Sequence, residues 1–124
     1  MINNRGDIAK AYYEAMSHKD MNFIEQHVHP NVHFIGPMAE FTGKDKYLDS
    51  VKKLFTLFKG LRIRTQFSVN DQAVIVYNVD FPDPIGISRA VALLDFKDNL
   101  ISRIELFYDA RPFEEMAKKI FSNP

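Results

Sequence analysis

At Gly60 the spacing of apolar residues changes from about 3.6 to about 2, and this switch decides the class of fold open to the chain. Before it, the apolar residues fall on helical stripes. Residues 5–18 carry Ile8, Ala11, Tyr12, Ala15 and Met16 on one such stripe. Asp20 is a good N-cap for a second, short helix over Met21–Val28, which Pro30 ends. Val32–Ile35 reads as a short strand closed by a turn at Gly36-Pro37. A third helix follows over Lys44–Lys59, with Gly60 as its C-cap. After Gly60 the alternation predicts four strands, Leu61–Val69, Ala73–Phe81, Ser88–Phe96 and Leu100–Asp109. Asn70-Asp71 and Lys97-Asp98-Asn99 are hairpin connections between them. Arg111-Pro112 opens a last helix over Phe113–Phe121. Helices followed by an antiparallel meander make an α+β domain, with the helices on one face of a curved sheet and a conical space between the layers.

The last strand shows where function would sit. Leu100, Ser102, Ile104, Leu106 and Tyr108 alternate onto one face, and Ile101, Arg103, Glu105, Phe107 and Asp109 onto the other. The second face sets Phe107 between two carboxylates, a mixture suited to lining a pocket. It is therefore expected to face the cone. Strand Ser88–Phe96 is apolar on both faces, with Val91 and Leu93 opposite Ala90, Ala92, Leu94 and Phe96. A sheet apolar on both faces needs a second cover, and sheet-to-sheet homodimerisation is the simplest.

Totals narrow the function classes. The 124 residues form one domain, 1–124, and sixteen basic residues balance sixteen acidic ones. That balance predicts neither a nucleic-acid partner nor a charged membrane partner. No cysteine is present, which excludes disulfides, thiolate catalysis and cysteine metal sites. The N-terminus lacks an apolar signal segment, and no apolar run reaches membrane-spanning length, so a cytoplasmic protein is expected. No glycine-rich phosphate loop implies a cofactor. His27, His29 and His33 are the only cluster that suggests a metal. They lack a ligand spacing such as His-Glu-x-x-His, so no metal site is expected.

Several strings, in order, resemble the SnoaL-like branch of the NTF2-like (cystatin-like cone) superfamily. They are Tyr12-Tyr13-Glu14-Ala15, Asp20, His29-Pro30-Asn31-Val32, Gly43, and the run from Leu106 to Phe113. The resemblance covers nearly the whole chain. It implies three N-terminal helices on a curved antiparallel sheet of four to six strands, with a short C-terminal helix. The superfamily includes isomerases, epoxide hydrolases, cyclases, dehydratases and non-enzymatic adaptors, so fold alone does not give activity. Ketosteroid isomerisation in this superfamily uses a carboxylate base, a tyrosine and a protonated acid. Tyr12 falls at the tyrosine position, Gly36 at the base and Ala92 near the acid. One of three is kept, and isomerisation by that constellation is not expected. The epoxide-hydrolase branch pairs an arginine with two acids, which Arg103, Glu105 and Asp109 resemble, with Asn78 and Asp80 expected on a neighbouring strand. The cyclase branch resembles this chain at Asp109.

The expectation is a pocket for a small apolar molecule held by Phe34, Tyr47, Asn78 and Phe107. If the site is catalytic, Asp109 would exchange protons, Tyr12 would donate to an oxyanion, and Arg103 with Glu105 would orient the ligand. The competing expectation is a non-catalytic dimerisation or binding domain whose cone is filled by its own side chains.

Overall fold

The structure is a computed structural model and describes residues 5–115. The order is α1 (Arg5–Ser17), α2 (Met21–Gln26), β1 (Val28–Ile35), β2 (Glu40–Thr42), α3 (Lys44–Phe55), β3 (Gly60–Val69), β4 (Gln72–Asp80), β5 (Ile87–Lys97) and β6 (Leu100–Tyr108). The expected α+β architecture is present. The strands form one sheet in the order β2-β1-β6-β5-β4-β3. Every neighbouring pair is antiparallel except β1 and β6, which run parallel. Residues 111–115 are helical; the rest of the expected last helix lies outside the described residues.

Local chemistry explains most boundaries. The Asp20 carboxylate accepts the Phe23 N–H at 3.2 Å and caps α2. Asn70 closes the β3–β4 hairpin at φ +55°. Asp98 and Asn99 close β5–β6 at +53° and +64°, values that two-residue hairpin turns require and that Asn and Asp tolerate. Two expectations are corrected. Helix α2 stops at Gln26 because the chain joins the sheet at Val28, beside Ile101, so Pro30 lies within β1. Helix α3 stops at Phe55, and Gly60 starts β3 rather than capping the helix. The short edge strand β2 was not expected; its three residues are too few to show a period.

The inner face of the sheet meets the helices. Ala73, Ile75, Tyr77 and Val79 of β4 lie beside Leu94, Ala92, Ala90 and Ser88 of β5, and all but Ser88 are buried. Ile8, Ala9, Tyr12, Tyr13 and Met16 of α1 complete this core with Ile24, Tyr47 and Val51. Each large side chain buried here contributes about 1.5–3 kcal/mol.

Strand β6 departs from the expected alternation. Asp95 pairs with Arg103 but Phe96 with Ile101, so Ser102 is an extra residue, a β-bulge. Ile101 and Ile104 therefore both turn inward and are buried. Arg103, Glu105 and Phe107 fall on the outer face, away from the helices, which corrects their expected place in the cone.

That outer face has a clear order. One row across the strands is polar: Gln72, Asp95, Arg103, His33, Thr42. The next two rows are mainly apolar: Phe67, Val74, Leu93, Glu105, Ile35, then Thr65, Val76, Val91, Phe107. Phe67 and Phe107 are 61% and 50% exposed, so no described part of the chain covers this face.

Candidate functional site

The cone is built around tyrosines. Tyr12 comes from α1 and Tyr47 from α3. Their hydroxyls hydrogen bond to each other in the buried space between helices and sheet. Tyr13 stands edge-on to Tyr12, with ring centroids 5.2 Å apart, and lies against Tyr77 of β4 at 4.8 Å. Tyr13 and Tyr77 also hydrogen bond. Phe34 continues the wall 5.9 Å from Tyr47 and stacks on Phe41. Half-buried Leu106 and Tyr108 extend the wall along β6, and Phe113 packs edge-on against Tyr108 and Phe81.

Desolvation is the main force on these phenols. Burial pushes Tyr12, Tyr13, Tyr47 and Tyr77 above the ordinary value of 10.0, and neighbouring tyrosines add to it. For Tyr13 and Tyr47 a hydrogen bond to a partner hydroxyl offsets part of the rise. All four are neutral near pH 7. No charged side chain is buried among the described residues. This cone can donate and accept hydrogen bonds but, among the described residues, holds no buried carboxylate to take a proton.

Two absences foreseen in the sequence have spatial counterparts. A Cβ at Gly36 would lie 3.1 Å and 3.2 Å from the Phe34 ring, so Phe34 occupies space a carboxylate there would need. Ala92 is fully buried between Ile75 and Leu106.

The expected site residues separate into three places. Tyr12, Tyr47 and Phe34 come together in the cone. Arg103, Glu105, Phe107 and Asn78 lie on the outer face. There Arg103 pairs with Glu105 at 3.2 Å and Asp95 at 3.9 Å. Asn78 is not on a strand next to β6, because β5 lies between. Its Oδ1 is enclosed and has no hydrogen-bond partner.

Asp109 lies beyond β6 at the start of the last helix. It accepts the Arg111 N–H at 3.0 Å and the guanidinium at 2.6 Å and 2.9 Å. The Arg111 side chain, then its backbone N–H, holds this exposed carboxyl down at about 2. A depressed folded value means the contact contributes above the unfolded value of 3.8 and is lost as pH falls toward 2. A carbon-13 titration should place the Asp109 midpoint near 2. In Arg111→Ala it should return toward 3.8, and a wild-type midpoint already there would refute the pairing.

The three histidines do not converge. His27 donates from Nδ1 to the Phe23 carbonyl, His29 accepts the Asn31 N–H, and His33 bonds Thr42 and Glu40. Sequence reasoning missed Tyr13 and Tyr77 as parts of the hydroxyl cluster. Tyr77 was legible as an inner-face residue of an alternating strand, whereas Tyr13 lay beside the α1 stripe.

A family model described as a SnoaL-like domain matches residues 9–104. No curated protein matches the sequence. Solved structures do resemble it. A protein from Kribbella flavida has a TM-score of 0.85 at 20% identity, covering 95% of this chain and 97% of its own. An NTF2-like protein from Cytophaga hutchinsonii has a TM-score of 0.79 at 19% identity, covering 92% and 96%. A candidate ketosteroid isomerase, also from Kribbella flavida, has a TM-score of 0.74 at 17% identity, covering 84% and 76%. At such identities the likeness is one of fold.

Proposed function

Because the chain belongs to the SnoaL-like domain family, we propose that it is a homodimeric small-molecule-binding protein whose cone reads a ligand oxygen through tyrosine hydroxyls. The observation that carries this reading is the Tyr12–Tyr47 hydroxyl pair, set among aromatic rings with no buried carboxylate among the described residues. A flat, mostly apolar ligand with one oxygen suits such a wall. It would lie against Phe34 and Leu106 and join the hydroxyl pair. Catalysis by Asp109 with Arg103 and Glu105 gains no support, because those groups pair elsewhere and do not share the cone with Tyr12. Base-driven isomerisation likewise lacks a base at Gly36.

The test is a titration with 2-naphthol, followed by its fluorescence. Saturable binding is expected, weakened up to about tenfold in Tyr47→Phe because one hydrogen bond of about 1 kcal/mol is lost. Binding that Tyr47→Phe leaves unchanged, or no saturable binding at all, would remove this reading.

A second reading is favoured by a separate observation, the uncovered apolar outer face carrying Phe67 and Phe107. In it the domain is a dimerisation module and the packed cone is purely structural. A dimer that binds no naphthol selects this second reading.

A further inference from the structure

The outer face of the sheet continues past its apolar rows into a basic one. Arg62 of β3, Asn78 of β4 and Arg89 of β5 lie side by side across the strands. Both arginines are exposed, and among the described residues neither makes an ion pair. Asp109, past the end of β6, is taken up by Arg111. One carboxylate, Asp80, stands in the row beyond. The opposite end of the same face is acidic. It carries Glu40, Asp95 and Glu105 with a single arginine, Arg103, which is shared between Asp95 and Glu105. Between the two ends, the row of Thr65, Val76, Val91 and Phe107 has no charge.

Opposite charge at the two ends of one uncovered apolar face restricts how two copies can pack. Two copies packed face to face are related by a two-fold axis lying between their sheets. If that axis follows the strands, each row lies over itself, and arginines meet arginines. If it crosses the strands, each strand lies over its own copy in the reverse direction, and the two ends exchange. With the axis on the uncharged row, the arginine row then lies over the row of Glu105, Leu93, Val74 and Phe67. Like charges brought together across an interface cost free energy, whereas complementary ones fix its register.

We propose that the protein pairs with a second copy through this face, its strands running opposite to the partner's, so that Arg89 reaches the partner's Glu105. The inference rests on the homodimer put forward above and gives it an orientation. Arg89 stands over the partner's Leu93, one strand spacing of about 4.8 Å from the partner's Glu105. Its stem lies on the leucine while its guanidinium extends to the carboxylate. Arg62 stands over the partner's Phe67, whose exposed ring offers a cation–π face. Two-fold symmetry makes each contact twice.

The experiment is charge exchange between two copies of the full chain. Arg89→Glu and Glu105→Arg should each weaken the homodimer about 100-fold, because two contacts worth about tenfold each become repulsive. Mixing the two variants should restore a dimer near wild-type strength. In that heterodimer both contacts again join an arginine to a glutamate. Sedimentation measures the affinities, native mass spectrometry identifies the heterodimer, and circular dichroism verifies that each variant folds. A change confined to one chain, such as loss of the Arg103–Glu105 pair, would not be repaired by mixing. A wild-type dimer that Arg89→Glu leaves unchanged or strengthens, or variants that form no heterodimer, would overturn the orientation and leave the dimer standing. A monomeric wild type would overturn both.

Discussion

Raised through pH 10, the protein should unfold and ionise its tyrosines in one step. Tyr12, Tyr13, Tyr47 and Tyr77 are buried, and burial raises each above 10.0. They are four of the five tyrosines in the chain. The sign follows from linkage. In the unfolded chain these phenols lose their protons near pH 10, while in the folded protein they keep them. The folded state therefore binds more protons, and its stability is complete below pH 10 and falls above it. Each group contributes a slope of about 1.4 kcal/mol per pH unit, so four contribute about 5.5, which one or two pH units turn into loss of a fold of ordinary stability. Phenolate absorbance near 295 nm and far-ultraviolet circular dichroism should move together. Tyr47→Phe should remove one group from the slope. If phenolate absorbance for most of the tyrosines appears near pH 10 with the dichroism unchanged, the buried cluster is wrong.

Phe107→Lys should turn a dimer into a monomer without unfolding it. The ring is half exposed within one protomer, so the protomer loses little packing. In the proposed dimer it ends the apolar row that runs through Val91 and Val76, and the new ammonium would be buried against a partner. Losing the ring's burial and desolvating the charge should cost about 3 kcal/mol, or about 100-fold in association. Sedimentation at micromolar concentration should report about twice 14.4 kDa for the wild type and 14.4 kDa for the variant. A wild type already monomeric under those conditions would refute the dimer. An intact dimer in the variant would place the interface elsewhere.

Periodicity revealed the helices and the meander because each segment is long enough to repeat its own spacing. The inner face of β5 was legible for that reason: Ala90, Ala92, Leu94 and Phe96 are all buried. Alternation groups Arg103, Glu105 and Phe107 correctly on one face, but a mixture of charges and an aromatic ring does not say which side of the sheet that face takes, and here it is the outer one. The bulge at Ser102, which carries no turn-forming signature of its own, moves Ile101 from that set to the inner face. Asp109 was misread for a different reason. Its partner is Arg111, two residues away, and a local pair of that kind competes with any long-range role. The tyrosine pair was half visible. Tyr12 and Tyr47 each stood on an inward stripe, but their meeting depends on how α1 and α3 cross, which no local pattern encodes.

The parallel pairing of β1 with β6 orders events in time. Each hairpin from β3 to β6 joins neighbours in sequence and can form early, whereas β1 waits for a partner near the far end of the chain. Closing so long a loop precedes any gain from the contact, so docking of β1 is the natural late step of folding. On the ribosome, which delivers the chain from its N-terminus, α1 and α2 emerge before any strand, and β1, β2 and α3 before the β3–β6 meander. Helix α1 meets β3 and β4 before β6 is made, but β1 has no neighbour besides β2 until the last strand arrives, and nascent chains of this protein halted before β6 are the species most exposed to aggregation and most in need of a chaperone.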